Sequence, residues 1–193
     1  KLKVKYISFN CDVNNYNKIK LFISNLKTLD ILVNNAGTNI PEPFLKVKKN
    51  SLETILDVNT KSVFNIAQLC ANKIIKLNKK SGSIINISSI FGIVAGLNRT
   101  VYSMTKFGVE GLTRGMALDL AKHNIRVNSV SPGLVNTRMT KNFIKEKELK
   151  NEINKTLAKK MAETQDVTNL ILFLASSKSN YINGSNLPID SGL

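Results

Sequence analysis

Cysteine is scarce in this 193-residue sequence: Cys11 and Cys70 stand alone, 59 positions apart. Neither belongs to a CxxC pair or lies near a histidine, which excludes a disulfide framework and a thiolate metal site. Both read as reduced, partly buried thiols of a reducing compartment, Cys11 in a strand and Cys70 on an apolar helix face. Histidine is scarcer still. His123 is the only one, at a helix end, where it reads as solvated or facing the helix dipole rather than catalytic. No apolar run approaches the roughly 20 residues that span a bilayer, so no membrane partner is expected. No internal repeat and no dividing linker are visible. Acidic residues are few, 13 against 28 Lys and Arg, giving a formal charge of +15. The lysines are scattered (Lys18, Lys46, Lys76, Lys141, Lys160) with no base-reading motif among them, so no nucleic-acid partner is expected. The excess reads as an Ile/Lys/Asn-rich composition that also favours approach of acidic small molecules. Asn86-Ile-Ser88 and Asn98-Arg-Thr100 match the glycosylation pattern by chance, since Asn86 falls in an expected buried strand.

What is present is a strand–helix alternation. Val4 to Phe9 alternates and reads as a strand, with Asp12 able to cap the segment after it. Asn17 to Leu26 carries helical spacing at Ile19, Phe22, Ile23 and Leu26. Leu29 to Val33 is a short apolar run ended by Asn34-Asn35-Ala36-Gly37, a buried strand and a turn. Ser51, as N-cap, opens a long helix to about Leu77. Ser83 to Ile87 and Ile125 to Val130 are further buried strands, Thr100 to about Lys122 a helix, and Phe91 to Asn98 a loop. Gly108, Gly111 and Gly115 lie along that helix at a cost of roughly 1 kcal/mol each, for which close packing on another helix compensates. The segment 140–160 is charged, weakly patterned and expected to be the most mobile. Asp166 caps a helix through Ala175, and Asn186 to Ile189 is a last strand. Near-continuous apolar strands alternating with helices indicate one α/β domain, its parallel sheet covered on both faces.

Tyr102 and Lys106 are four apart on one helix and share a face. An ammonium near a phenol favours the phenolate and makes tyrosine a usable acid–base group. Ser88 and Ser89 end the preceding strand, where open α/β sheets place their ligand crevice. The Tyr/Lys pair alone carries little weight; its combination with the rest carries the argument.

The ordered set Asn34-Asn35-Ala36-Gly37, Asp57-Val58-Asn59, Asn86-Ile87-Ser88-Ser89 with Gly92, Tyr102-xxx-Lys106 and Asn128-Ser-Val-Ser-Pro132-Gly133 with Thr137 resembles the short-chain dehydrogenase/reductase family in its classical subgroup, near 3-oxoacyl-carrier-protein reductases and gluconate dehydrogenases. The resemblance spans residues 12 to 190. It implies a Rossmann-like doubly wound parallel sheet and hydride transfer between NAD or NADP and a small-molecule carbonyl or secondary alcohol, either a 3-oxoacyl thioester or a sugar-acid-like compound. The implied catalytic set is Asn59, Ser89, Tyr102 and Lys106. Ser89 is preferred over Ser88 because it precedes Tyr102 by 13 residues. Tyr102 is the implied proton donor or acceptor, Lys106 lowers its pKa and bonds the nicotinamide ribose, Ser89 polarises the carbonyl, and Asn59 holds a water linking Lys106 to solvent. The implied cofactor contacts are Asp12 and Val13 at the adenine, Asn34, Ala36 and Gly37 at the adenosine ribose and phosphates, and Ile87, Tyr102, Lys106, Pro132, Gly133, Val135 and Thr137 at the nicotinamide; no metal is implied. The substrate is expected under segment 134–160, near Thr38, Asn39, Phe91 and Arg99. A cytoplasmic homo-oligomer, dimer or tetramer, is expected, joined through helices 51–77 and 100–122.

The sequence departs from the family at its start. The Gly-rich turn TGxxxGxG that cradles the pyrophosphate is absent, and residue 1 is Lys. The chain reads as a single dinucleotide-binding catalytic domain, 1–193, incomplete at the N-terminus and lacking the first two strands and their helices. Residues that distinguish NAD from NADP fall in that segment. Asp190-Ser191-Gly192 stands where the family often has Asp-Gly-Gly. The alternative is a non-enzymatic truncated paralogue that acts only as an assembly partner.

Overall fold

A computed structural model describes residues 6–143 and 146–192. Its centre is a four-stranded, all-parallel sheet in sequence order: β1 (Ile31–Asn34), β2 (Gly82–Ile87), β3 (Ile125–Pro132) and β4 (Asn186–Ile189). The register pairs Asn34 with Asn86, Ile87 with Val130 and Pro132 with Ile189, so the strands end close together at one edge. The helices are α1 (Tyr16–Asn25), α2 (Lys49–Leu56), α3 (Ser62–Lys76), α4 (Thr100–Leu120), α5 (Arg138–Phe143), α6 (Glu146–Lys155) and α7 (Thr164–Ala175). Successive side chains of a strand point to opposite faces. Ile84, Ile125 and Val127 accordingly pack with Ala71 and Ile74 of α3 and Ala117 of α4. Ile85 and Val130 pack with Leu174 of α7 on the other face. This is the expected doubly wound α/β arrangement, with its core in two layers either side of the sheet.

Several boundaries differ from expectation, each for a physical reason. Residues 6–9 form no strand and are exposed, with Tyr6 at 75%; among the described residues no neighbouring chain pairs with them, and a strand needs one. Val4 and Lys5 of that expected strand lie outside the described residues, and Cys11 is half-buried in a turn-rich loop instead. Asn15 caps α1, its side chain accepting from Lys18 N at 3.1 Å, while Asp12 closes a local turn on Asn14 N at 2.9 Å. β1 is an edge strand among the described residues, so Ile31 and Val33 are exposed rather than buried. The long helix starts at Lys49, places Ser51 inside rather than at the cap, and is broken by a π-helical turn at Asp57–Lys61. Segment 140–160, left without elements in the sequence reading, holds α6 and the end of α5; residues 144 and 145 lie outside the described residues. Glu163 caps α7 in a reciprocal box with Asp166, which sits at the third helical position. On α4, Gly111 and Gly115 meet no atom within 4 Å of an added Cβ, and Gly108 only Thr60 at 3.7 Å. Among the described residues, then, the expected packing is met at Gly108 and not at Gly111 or Gly115.

Candidate active site

The ends of β1, β2 and β3 face the π-helical turn and the first half of α4, and a connected polar cluster fills the space between. Asn59 is fully buried on the π-helical turn. Its Oδ1 accepts from Thr38 N at 2.8 Å, and its Nδ2 donates to Thr38 O at 2.9 Å and Thr105 Oγ1 at 3.2 Å. One side chain thus pins the loop after Gly37 to α4. A π-helical turn widens the helix by one residue and recurs at functional sites; here it carries the amide inward.

Lys106 is buried on α4 and donates from Nζ to Ile87 O at 2.8 Å. Desolvation pulls this ammonium down to about 8, partly opposed by the negative charge of Glu110. Its Nζ is 5.6 Å from the centroid of the Tyr102 ring. Burial pushes the Tyr102 phenol above its ordinary value, while a hydrogen bond with Ser89 and the positive charge of Arg99 pull it back. Ser89 and Arg99 thus favour the phenolate at Tyr102, and the Lys106 ammonium lies beside the same ring. Ser89 lies two residues beyond β2 and caps the short helical turn Ile90–Gly92, its Oγ accepting from Phe91 N at 3.2 Å. Phe91 meets Tyr102 edge-on, with ring centroids 6.3 Å apart. Ser88 is directed elsewhere, towards Lys106 O at 3.4 Å.

Behind this cluster, Asn34 Nδ2 donates to Asn86 Oδ1 and Asn86 Nδ2 to Thr113 Oγ1, both at 2.9 Å. These buried amides join β1, β2 and α4 in one chain. The Asn34 side chain is committed inward, leaving only its backbone to line the crevice. Ala36 is exposed and Gly37 half-buried. A Cβ at Gly37 would lie 3.6 Å from Asn59 Oδ1 and 3.8 Å from Lys106 Nζ, so this glycine borders the catalytic candidates directly. Gly133 N donates to Ile189 O at 2.8 Å, Val135 is buried and bridges Ala162, and Thr137 Oγ1 accepts from Thr140 N at 3.2 Å. Asp12 bonds locally, its carboxylate accepting from Asn14 N at 2.9 Å and its carbonyl from Cys11 Sγ at 3.3 Å.

A cavity of about 630 Å³ opens beside Ser89, lined by Phe91, Asn98, Arg99, Gly133 and Lys155 among others. Phe91 and Arg99 were expected there; Thr38 and Asn39 are not part of its lining. Sequence reasoning missed Thr105, Thr113 and Glu110, all buried on α4. Their spacing of three and four from Tyr102, Lys106 and one another was the available signal. Among the described residues no cluster of His, Cys, Asp and Glu could hold a metal ion, and no helix is long and apolar enough to cross a membrane.

A family model described as enoyl-(acyl carrier protein) reductase matches residues 1–193. The chain is 38% identical over 165 residues to a 3-oxoacyl-(acyl-carrier-protein) reductase of Thermotoga maritima, covering 86% of this chain and 66% of that protein. It is 37% identical over 182 residues to L-xylulose reductase of Mus musculus, covering 94% and 74%. Among solved structures, a gluconate 5-dehydrogenase from Burkholderia cenocepacia in complex with NADP and tartrate superposes with a TM-score of 0.89 at 30% identity, covering 95% of this chain and 73% of that one. A 4-hydroxyisoleucine dehydrogenase complexed with NADH gives 0.87 at 32% identity, covering 94% and 76%. The chain thus spans just under two thirds to about three quarters of the length of the proteins it matches. It belongs to the short-chain dehydrogenase/reductase family.

Proposed function

We propose that this family member is an oxidoreductase that moves a hydride between NAD or NADP and a small carbonyl or secondary alcohol, with Tyr102 as the acid–base group and residues 1–193 as its dinucleotide-binding catalytic domain. The observation that carries the reading is the convergence of Asn59, Ser89, Tyr102 and Lys106 at the carboxyl ends of the strands, where doubly wound sheets bind ligands. The residues present fit a dinucleotide there. Gly37 leaves its Cβ position open beside Lys106 Nζ, and Lys106 spends one of three N–H donors on Ile87 O. Names of relatives support the cofactor class: one solved relative carries NADH and another NADP. The nicotinamide, when bound, supplies or takes up the hydride.

The rest is the work of this chain. In reduction, Ser89 Oγ donates to the carbonyl oxygen and orients it. Tyr102 Oη gives that oxygen its proton as negative charge develops there. Lys106 steadies the phenolate left behind and reaches the ribose with its remaining donors. Asn59 fixes the loop at Thr38 and the helix at Thr105, which keeps the floor of the crevice in place. Ile87, Pro132, Gly133, Val135 and Thr137 form the nicotinamide wall; Ala36, Gly37 and the backbone of Asn34 take the ribose side; Asp12 and Val13 take the adenine. The cavity is part apolar, with Phe91, Val94, Leu97 and Leu134, and the polar Asn98, Arg99 and Lys155 at it favour a sugar-acid-like substrate over a fatty acyl chain.

Assembly belongs to the same reading. Gly108, Gly111, Gly115, Met104, Phe107 and Phe64 leave one face of α4 and α3 uncovered, which suits a homodimer or homotetramer packed helix on helix. Two unpaired thiols suit the cytoplasm. The test is reduction of acetoacetyl-coenzyme A and of 5-ketogluconate with NADH and with NADPH, comparing wild type and Tyr102→Phe. The expected loss in the variant is at least 10²-fold with cofactor affinity retained. A variant keeping more than about a tenth of the wild-type rate refutes the assignment.

A further inference from the structure

We propose that Glu110 is a positioning residue for Lys106: a buried carboxylate one helical turn further along α4 that holds the Lys106 side chain as an ammonium beside Tyr102. The proposal deepens the reading just given and rests on it. The reaction as described does not use Glu110, yet the residue is only 5% exposed, as is Lys106. Carboxylates are almost never buried this far without a partner that needs them.

Its neighbours are few and neutral. Ser129 Oγ donates to Oε2 at 2.7 Å. Ser131 Oγ lies 3.4 Å from Oε1 but gives its proton to Asn186 Oδ1 at 2.7 Å, so the carboxylate keeps one short hydrogen bond. Hydroxyl donors stabilise the anion without cancelling its charge. The cation it acts on is Lys106, whose own contact is a backbone carbonyl, Ile87 O. A buried anion with only hydroxyl donors and a buried cation with a carbonyl acceptor sit on successive turns of one helix, about 6 Å apart at Cβ.

Among the described residues, the charge that acts on Lys106 is that of Glu110. On α4 its Nζ lies 5.6 Å from the centroid of the Tyr102 ring; on β2 it meets the Ile87 carbonyl; the Asn59 amide of the π-helical turn borders Gly37 as Nζ does; Ser88 Oγ points to the Lys106 backbone carbonyl, and Ser129 and Ser131 of β3 lie at Glu110. The positive charge of Arg99 acts on Tyr102. Burial lowers the Lys106 ammonium and the Glu110 charge opposes it, the two together leaving it at about 8, so loss of the Glu110 charge lowers it further. Loss of one full charge at this separation moves such an equilibrium by roughly 1 to 2 pH units.

The experiment is the pH profile of kcat/KM for wild type, Glu110→Gln and Glu110→Asp, with acetoacetyl-coenzyme A and NADPH. Gln keeps an acceptor for Ser129 and removes only the charge. Without the carboxylate, Lys106 loses its proton at lower pH. The alkaline limb of Glu110→Gln should therefore fall by about 1 pH unit or more, with the rate at pH 6 within a few-fold of wild type, and Glu110→Asp should restore the limb. A purely structural tie between α4 and β3 would instead scale the whole profile down without moving the limb; that result overturns the proposal. A second readout needs no turnover: urea unfolding at pH 7 of wild type, Glu110→Gln, Lys106→Met and the double variant. Each single change strands one buried charge, so the double variant should be more stable than the two losses added together. Additivity overturns the proposal. If Glu110→Gln alone does not fold, recovery of folding in the double variant supports the coupling and its absence refutes it. Failure of the parent reading shows separately, as a Tyr102→Phe variant that keeps its rate.

Discussion

A single methyl at Gly92 should disable the site. An ideal Cβ on this residue falls 2.7 Å from Ser88 Oγ, 3.0 Å from Lys106 O and 3.1 Å from Lys106 C. The backbone at Gly92 is not in the left-handed region, so the glycine is there for space alone. The serine hydroxyl could rotate aside. The Lys106 carbonyl cannot, because it belongs to the backbone of α4. The short helical turn Ile90–Gly92 must retreat instead, by a few tenths of an ångström, and Gly92 N is bonded to Ser89 O at 2.8 Å. The displacement is thus passed to Ser89 and to its contact with Tyr102. Overpacking of this kind costs about 1–3 kcal/mol, and a misplacement approaching 1 Å costs on the order of 10²-fold in rate. Gly92→Ala should therefore lower the unfolding free energy measured in urea by about 1–3 kcal/mol and reduce kcat/KM by roughly 10²-fold. Gly111→Ala is the control for stability. Its Cβ meets nothing within 4 Å, so removing a helical glycine should add about 0.5–1 kcal/mol to the unassembled chain. Turnover of Gly92→Ala within threefold of wild type, at an unchanged midpoint, would refute the steric argument.

Three further outcomes follow from the buried polar groups and the assembly face. Thr113→Val leaves Asn86 Nδ2 without its 2.9 Å acceptor in a fully buried position, and should cost about 1–3 kcal/mol in urea unfolding. Lys106 holds its proton less tightly folded, at about 8, than unfolded, at the ordinary lysine value of 10.5. Between those values the unfolded chain binds more protons, so the wild type should gain stability relative to Lys106→Met as pH rises through that window, by on the order of 3 kcal/mol in total; a difference flat in pH would count against the burial of this charge. Gly111→Ala and Gly115→Ala should weaken self-association in sedimentation or light scattering while stabilising the monomer, and an unchanged oligomer would remove α4 from the interface.

The parts of the fold that were legible in the sequence are those whose cause is local. Asn186–Ile189 was read to the residue, and β2 and β3 within two, because an apolar run bounded by Gly82 or Asn124 leaves little choice. Burial of β1 was misjudged, since edge or centre depends on what lies beside a strand and not on its own sequence. Ser51 was taken for a cap because Ser is a good one, whereas the helix begins two residues earlier at Lys49 and buries it. No local signal announces the π-helical turn at Asp57–Lys61; it exists because Asn59 is bonded across the fold to Thr38 and Thr105. The site shows the same division. Tyr102, Lys106 and Ser89 stand out as chemistry at a recognisable spacing. Their supports do not, because a search for an apolar helix face discards polar residues. The sheet-facing side of α4 carries Lys106, Glu110 and Thr113 alongside Val109 and Ala117, and meets Asn86 and Ser129 rather than an unbroken aliphatic surface. Buried polar groups are costly unless each is satisfied, so a helix built this way gives up stability to hold Lys106 and Glu110. The polar stripe is the physical consequence of burying Lys106. That is why the weak apolar periodicity of α4 locates the working face better than a strong one would.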